Sequence, residues 1–224
     1  MDIKISIGYS RNSILYEGVV LSFNEGEINN IIGENGTGKS TLYKTLIGQI
    51  PPIQGCVPSE VKKNIAIVSD YISLPQELLV KDILQFIGDA KGNQMKNRYK
   101  NLCNIIYPLS GQKIKTLSTG QKRLLEIFTA LSSGKSILIL DEACNGLDFK
   151  NRDFFLKIIR QLADESSITI FHTSHNLEDV IELGGRILLL DKEAKAIHMY
   201  NGKMSLGELS SFVKYSLNKE VHNE

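Results

Sequence analysis

The amino-acid sequence predicts an α/β layered domain with a helical segment inserted into it. Short apolar runs that suit buried strands alternate with segments whose apolar residues recur at helical spacing. The run ILIL at 137–140 is apolar throughout, as expected for a strand covered on both faces of a parallel sheet. The stretch from about 71 to 130 is mostly helical and interrupts the alternation, so we expect a helical subdomain there.

Each predicted element follows from a local pattern. Alternating apolar and polar residues favour strands at 2–6 and 13–23, and a β-branched run favours a strand at 28–32. A helix at 40–48 ends at Gly48, just before two prolines. The remaining predictions are a strand at 65–68, a broken helical stretch at 76–109, a helix at 118–132, a strand at 136–142, a helix at 150–164, a strand at 168–173 and a last strand pair, RILLLD and KAIHMY.

The composition predicts a soluble intracellular protein. Lysine and arginine total 26 against 25 aspartates and glutamates, so the net charge gives no support to binding of nucleic acid or an anionic membrane. Three cysteines without a CxxC pair make a disulfide framework or a zinc site unexpected. The N-terminus resembles no signal peptide and the apolar runs are too short to cross a bilayer, so we expect any work at a membrane to need a partner.

A glycine-rich segment between the third strand and the first helix predicts a phosphate-binding loop. It matches the pattern G-x-x-x-x-G-K-[ST], in which backbone N–H groups and the helix N-terminus face a phosphate chain. We expect the lysine to contact the β/γ oxygens and the serine to ligate Mg²⁺. The residues of the predicted nucleotide site here are Gly33, Glu34, Asn35, Gly36, Thr37, Gly38, Lys39, Ser40 and Thr41.

Two carboxylates follow the apolar strand at 137–140. Ligands of parallel sheets lie at the carboxyl ends of the strands, so Asp141 is suited to hold Mg²⁺. Glu142 is suited to orient or deprotonate an attacking water. An acid pair at a strand end is commonly a solvated turn, but the phosphate loop in the same chain favours the functional interpretation.

The segment LSTGQ predicts a second phosphate contact. Its residues are Leu117, Ser118, Thr119, Gly120 and Gln121. A serine that begins a helix is an ordinary N-cap, but a glycine in the first turn of a helix suggests close approach to its backbone. The loop and this segment belong to different subdomains, so we expect two copies, head to tail, each offering LSTGQ to the nucleotide of the other.

Taken together, GENGTGKS, LSTGQ, ILILDE, NGLD and TSH occur in the order of the sequence motifs of ATP-binding cassette (ABC) transporter subunits, and the chain resembles that family from about residue 3 to 205. The resemblance implies a single ABC ATPase domain over 1–224: a P-loop NTPase core of the RecA-like type. It implies an N-terminal antiparallel β subdomain, with core and β subdomain formed by 1–70 and 131–210. The helical subdomain would cover about 71–130, with a tail at 211–224.

The same resemblance implies further site residues. Asp148 would belong to the loop that lines the dimer interface, and His175 would be the switch histidine near the γ-phosphate. Tyr9 would stack on adenine, although a tyrosine at a strand end usually only packs. His172, His198 and His222 are expected to be ordinary structural histidines.

The chain departs from the family where a glutamine usually contacts Mg²⁺ and the attacking water. Alignment on LLVKDIL places Asp70 at that position, and the nearest glutamine is Gln76. We favour Asp70 as the metal ligand, with a shift of the loop to Gln76 as the alternative. Leu124 and Thr129 also replace basic residues that the family commonly has.

The resemblance implies an ATPase that uses ATP and Mg²⁺ and dimerises around two ATP molecules. Its expected partners are a second ATP-binding subunit, most simply an identical copy, and a separately encoded transmembrane permease at the cytoplasmic face of the cell membrane. Export of a peptide, lipid or drug is favoured over import. The alternatives are a soluble ABC ATPase of translation or DNA repair, which generally carries two cassettes or other features missing here, and an ABC ATPase that drives a membrane signalling partner.

Overall fold

The computed structural model describes residues 1–69 and 73–217, and it has the α/β architecture that the sequence predicts. Two short 3₁₀ helices, Tyr107–Leu109 and Ile114–Thr116, lie between longer elements. The strands of the described ranges are β1 (Asp2–Ser10), β2 (Ser13–Ser22), β3 (Ile28–Ile32), β4 (Gln54–Gly55), β5 (Ile65–Ser69), β6 (Ile137–Asp141), β7 (Thr169–Thr173), β8 (Arg186–Asp191) and β9 (Ala196–Asn201). The helices are α1 (Lys39–Leu46), α2 (Ser59–Lys63), α3 (Val80–Ile87), α4 (Asp89–Arg98), α5 (Lys100–Ile106), α6 (Thr119–Leu131), α7 (Phe149–Ser166), α8 (Leu177–Leu183) and α9 (Leu206–Leu217).

A six-stranded sheet in the order β5-β6-β7-β3-β8-β9 forms the centre of the molecule. Its first five strands are parallel, and β9 pairs with β8 in the antiparallel direction. Strands β3 and β7 are buried along their whole length, as is β6 up to its last residue. The prediction of parallel strands covered on both faces is therefore confirmed.

A smaller antiparallel sheet in the order β2-β1-β4 packs beside the central one. Strand β1 extends to Ser10, four residues beyond its predicted end, and its pairing with β2 shifts register after Ile5. Gly8 is required inside this bulged pair, because a Cβ there would lie 2.4 Å from the carbonyl oxygen of Ser13.

Two apolar layers cover the faces of the central sheet. On one face, α1 and the antiparallel sheet bury residues such as Tyr16, Leu42 and Phe171. On the other face, helices α3 to α7 bury residues such as Phe128 and Phe155. The sheet thus holds the phosphate loop and the helical region on a common rigid base.

The region predicted to be helical but broken contains α3, α4 and α5. Gly88, with φ of 80°, separates α3 from α4, and Tyr99, with φ of −126°, separates α4 from α5. Helix α6 follows and packs against α5 and β5. Of the described residues, no helix is both long and apolar enough to span a bilayer.

Two helices near the C-terminus were not predicted. Helix α8 is short, and α9 includes residues 211–217, which the resemblance assigned to a tail. Leu209 of α9 is fully buried beside Val180 and Leu189, so this helix packs on the central sheet.

The strand register brings the predicted site segments to one edge of the sheet. Asp141 pairs with Ser69 on one side and with Thr173 on the other, and Thr173 pairs with Ile31 of β3. The phosphate loop leaves β3 directly after Ile32. The carboxyl ends of β5, β6, β7 and β3 therefore form one continuous rim.

Candidate functional site

The phosphate loop connects β3 to α1 through backbone conformations that need glycine. Gly36 and Gly38 have φ of 80° and 98°, in the left-handed region that residues with a Cβ rarely adopt. A Cβ on Gly33 would lie 2.6 Å from the Thr37 hydroxyl oxygen. The loop therefore reverses sharply and delivers the chain into α1 at Gly38, its N-cap residue.

Lys39 is buried and folds back over the loop. Its Nζ donates to the carbonyl oxygens of Gly33 at 2.7 Å and of Glu34 at 3.1 Å. The loop is braced by the Thr37 hydroxyl, which donates to Glu34 O, and by the Tyr16 hydroxyl, which donates to Thr37 O. Within the described chain no side chain caps the start of α1, so the N–H groups there face an open space that suits an anion.

This space is a cavity of about 360 Å³ at the rim of the sheet. Tyr9 forms one wall; the residue is 67% exposed, and its hydroxyl lies 3.0 Å from Thr41 Oγ1. The cavity brings together loop residues, the aromatic ring and both predicted carboxylates. Its lining consists of Tyr9, Asn35, Gly36, Gly38, Lys39, Ser40, Thr41, Asp141 and Glu142.

Asp141 ends β6 and is held by the neighbouring strand. The hydroxyl of Thr173 lies 2.9 Å from Asp141 Oδ1 and accepts the N–H of Glu142 at 3.0 Å. Burial raises the pKa of Asp141 above its usual range, and Glu142 adds to this, whereas Thr173 and Lys39 oppose it. The backbone at Glu142 has φ of 52°, an uncommon conformation for a residue with a side chain.

Glu142 lies between Asp141 and the residue predicted to be the switch histidine. Its Oε2 accepts a hydrogen bond from Asn145 Nδ2 at 2.8 Å, and its Oε1 lies 3.9 Å from His175 Nδ1. The His175 side chain is 63% exposed and follows the last residue of β7 by two positions. Carboxylate and imidazole thus lie close together, although they are 33 positions apart in the chain; Glu142 lines the cavity, and His175 is not among its described lining residues.

The LSTGQ segment lies away from this cavity. Ser118 is the N-cap of α6, and its hydroxyl accepts the N–H of Gln121 at 3.2 Å while Gln121 Oε1 accepts the N–H of Ser118 at 3.0 Å. A Cβ on Gly120 would meet Leu147 and Asn151 only at ordinary van der Waals distance, so the close approach predicted at this glycine is not made within the single chain. None of Leu117, Ser118, Thr119, Gly120 and Gln121 is among the residues described as lining the cavity.

Asp148 caps α7. Its Oδ1 accepts the N–H of Asn151 at 2.9 Å, and its Oδ2 accepts the Asn151 side-chain amide at 2.7 Å. These hydrogen bonds lower the pKa of Asp148, and the carboxylate is exposed to solvent. It is therefore both a helix cap and a charged group on the outer surface.

Asp70, the favoured additional metal ligand, lies outside the described residues. The alternative, Gln76, is exposed, and its Nε2 donates to the carbonyl oxygen of Leu74 at 3.0 Å. Gln76 is not among the described residues that line the cavity.

The prediction from the sequence did not include two side chains that contact the site. Thr173 contacts Asp141, and Tyr16 braces the phosphate loop. Thr173 could have been found from its position at the end of a buried strand in HTSH, since the ends of neighbouring parallel strands meet. Tyr16 lies on β2, and nothing local in its sequence indicates a contact with residue 37.

The donors present suit Mg²⁺. Ser40 and Asp141 line the same cavity and offer a hydroxyl and a carboxylate oxygen, which are hard ligands of the type that Mg²⁺ prefers. Such an ion keeps several waters, and the open cavity leaves room for them.

Comparison with known proteins identifies the class that this fold and rim define. The family model described as ABC transporter matches residues 16–145, more than half of the chain, and the chain therefore belongs to the ABC transporter family. The P-loop NTPase fold expected from the sequence is also found in its structural neighbours.

Particular relatives support the same assignment. The molybdate import ATP-binding protein MolC of Haemophilus influenzae is 30% identical over 195 residues, which cover 83% of this chain and 76% of MolC. The linearmycin resistance ATP-binding protein LnrL of Bacillus subtilis is also 30% identical, over 84% of this chain and 65% of LnrL. A solved inward-facing ABC transporter of metal-chelate type matches with a TM-score of 0.77 at 26% identity, over 96% of this chain and 87% of the matched chain.

Proposed function

We propose that the chain is the ATP-binding and ATP-hydrolysing subunit of an ABC transporter, working with a separately encoded membrane permease. The observation that carries the proposal is the single cavity shared by Lys39, Ser40, Asp141 and Glu142, with His175 Nδ1 lying 3.9 Å from Glu142 Oε1. The predicted phosphate, metal and water-orienting groups come from three separate segments. Their convergence at one rim supports a catalytic site rather than a passive phosphate cradle.

Each of these groups has its own role in binding or hydrolysing the nucleotide. When a nucleotide binds, Lys39 Nζ replaces its hydrogen bonds to the carbonyl oxygens of Gly33 and Glu34 with contacts to the β/γ-phosphate oxygens. The backbone N–H groups at the start of α1 bind the same phosphates. Bound at Ser40 and Asp141, Mg²⁺ would neutralise charge on the phosphate oxygens. Glu142 orients the attacking water and His175 stabilises the γ-phosphate, both from positions held by the ends of β6 and β7.

A second copy completes the site. The LSTGQ segment offers a helix N-terminus but lies outside the cavity of its own chain, so its natural ligand is the phosphate chain held by another copy. Asp148 lies exposed at the start of α7, where it would line the same interface. ATP would thus hold two copies together, and hydrolysis would release them.

Steady-state hydrolysis tests the catalytic part of the proposal. Lys39→Ala and Glu142→Gln are expected to lower kcat by about 100-fold or more. Lys44→Ala is the matched control, since Lys44 is an exposed lysine of the same helix. Equal activity of Lys39→Ala and Lys44→Ala would contradict the proposal.

Affinity purification from membranes tests the transport part. A copurifying membrane protein that stimulates hydrolysis supports a transporter, whereas ribosomes or DNA in its place would favour the soluble alternatives. Export of a peptide, lipid or drug stays a prediction, since the named relatives include both an import protein and a resistance protein. Vesicle uptake assays with the copurified permease would determine the direction.

A further inference from the structure

Asp179 is a buried carboxylate that receives hydrogen bonds from two other segments. It lies on α8 with 1% of its surface exposed. Its Oδ1 is paired with Arg152 Nε of α7, and its Oδ2 accepts the hydroxyl of Ser174 at 2.8 Å. A buried charge is costly without such partners, so these contacts fix the carboxylate in one place.

A thiol and an imidazole complete this buried cluster. The Cys144 sulfur, a ring nitrogen of His172 and a carboxylate oxygen of Asp179 all lie within 4.8 Å of one another. Burial, followed by the charge of Asp179, raises the pKa of the Cys144 thiol to about 12. The thiol therefore stays protonated and can donate toward its acceptors.

Asn30 determines which nitrogen of His172 carries the proton. Asn30 Nδ2 donates to the carbonyl oxygen of Gly184 at 2.6 Å, so Oδ1 is the Asn30 atom that lies 3.2 Å from His172 Nδ1. That nitrogen must then be the donor, which leaves the lone pair of Nε2 facing Cys144 Sγ at 3.9 Å. Burial lowers the pKa of His172 to about 4, in agreement with a neutral ring.

The cluster has the ligand types of a zinc site, but its charge is already balanced. Arg152 supplies the positive charge beside Asp179 that a metal ion would otherwise bring. With a neutral thiol and a neutral imidazole, one ion pair remains inside a hydrogen-bonded network. A structural role fits this arrangement better than a metal centre.

The segments that meet at Asp179 are those that carry the predicted catalytic groups. Cys144 follows Glu142 by two residues, and Ser174 immediately precedes His175. Arg152 lies in the first turn of α7, where its backbone N–H donates to the carbonyl oxygen of Asp148 at 2.9 Å. One carboxylate therefore joins the loop of Glu142, the turn of His175 and the helix that begins at Asp148.

We propose that Asp179 is a positioning residue for ATP hydrolysis. It fixes the positions of Glu142 and His175 relative to each other and to the start of α7. This inference rests on the proposed function. Asp179 is buried and is not among the described residues that line the cavity. It acts through Ser174, Cys144 and Arg152, so its loss should impair the chemical step more than nucleotide binding.

The test is steady-state ATP hydrolysis by full-length Asp179→Asn, which keeps the shape of the side chain and removes its charge. We expect kcat to fall about 10- to 100-fold, because small displacements of catalytic groups have effects of that size. The KM for ATP and the affinity for ADP should stay within about twofold of wild type, since the phosphate loop and Tyr9 are not touched.

Two further variants separate positioning from stability. Glu27→Gln breaks a partly buried ion pair with Arg186 at the start of β3, the end of that strand away from the phosphate loop. This variant should lower thermal stability without lowering kcat. Asp179→Asn combined with Arg152→Met removes both charges of the cluster. It should regain much of the lost stability while kcat stays low.

The outcomes are distinct. Wild-type kcat in Asp179→Asn, or full recovery of kcat in the double variant, would overturn the inference while leaving the proposed function intact. Should Asp179→Asn fail to fold, Ser174→Ala decides by the same criterion, with Ser174→Thr as the rescue that keeps the hydroxyl. Absence of hydrolysis by the wild-type chain would instead overturn the proposed function.

Discussion

The hydroxyl of Thr173 bridges the two carboxylate residues of the site: it lies 2.9 Å from Asp141 Oδ1 and accepts the N–H of Glu142 at 3.0 Å. Thr173 is fully buried at the end of β7, so its position is fixed by the sheet. The bridge orients Asp141 toward the cavity and helps to hold the unusual backbone at Glu142.

Thr173→Val should therefore impair metal use and hydrolysis. We expect the free energy of unfolding to fall by about 1–2 kcal/mol. The Mg²⁺ concentration for half-maximal activity should rise, and kcat should fall about tenfold. Thr169→Val is the control, because Thr169 lies buried at the other end of β7 and donates to Asn24 O at 2.8 Å. It should lose similar stability but no activity. The same kinetic defect in both variants would contradict a specific role for Thr173.

His172 should make the fold sensitive to acid. Burial lowers its pKa from 6.5 to about 4, so between these values the unfolded chain binds a proton that the folded chain does not. The contribution of neutral His172 to the free energy of unfolding is fully present above pH 6.5, decreases as the pH drops, and is lost near pH 4. The total change in the free energy of unfolding is about 3 kcal/mol.

Urea unfolding at pH 7 and pH 5 measures this effect. His172→Gln should reduce the loss of stability between the two values, whereas His198→Gln, at a partly exposed position beside Asp191, serves as the control. An unchanged pH dependence in His172→Gln would show that another group is responsible.

The identity of the residue that replaces the family's glutamine can be tested by metal dependence. Asp70→Gln should retain ATPase activity but change the relative activities with Mg²⁺ and Mn²⁺, because a neutral amide replaces a charged oxygen ligand. Gln76→Ala should leave both profiles unchanged, since Gln76 is exposed and bonded to Leu74 O. Wild-type profiles in Asp70→Gln, with an altered profile in Gln76→Ala, would assign the position to Gln76.

Local sequence patterns predicted the parts of the site that depend on near neighbours. The strand, loop and helix around Lys39 lie where the glycines and apolar runs indicated, and Asp141 ends the strand that was expected to hold it. The sequence could not show that Lys39 turns back onto Gly33 O and Glu34 O. That contact depends on the three-dimensional path of the loop between Gly33 and Lys39.

Contacts between distant segments were beyond prediction. The Thr173–Asp141 bridge depends on the register of β6 against β7, and the Asp179 cluster depends on α7 and α8 packing against each other. Asn30 and Asp179 look like ordinary polar residues in the sequence. Only the fold shows that both are buried and what they contact, because burial and pairing are set by tertiary packing rather than by local pattern.

The central claim is that two copies clamp ATP between the phosphate loop of one and the LSTGQ segment of the other. Sedimentation velocity of Glu142→Gln with Mg·ATP tests it most directly, since that variant should bind ATP without hydrolysing it. We predict a dimer with Mg·ATP and a monomer with Mg·ADP, and no dimer when Ser118→Arg is added. A Glu142→Gln chain that stays monomeric with saturating Mg·ATP would contradict the account.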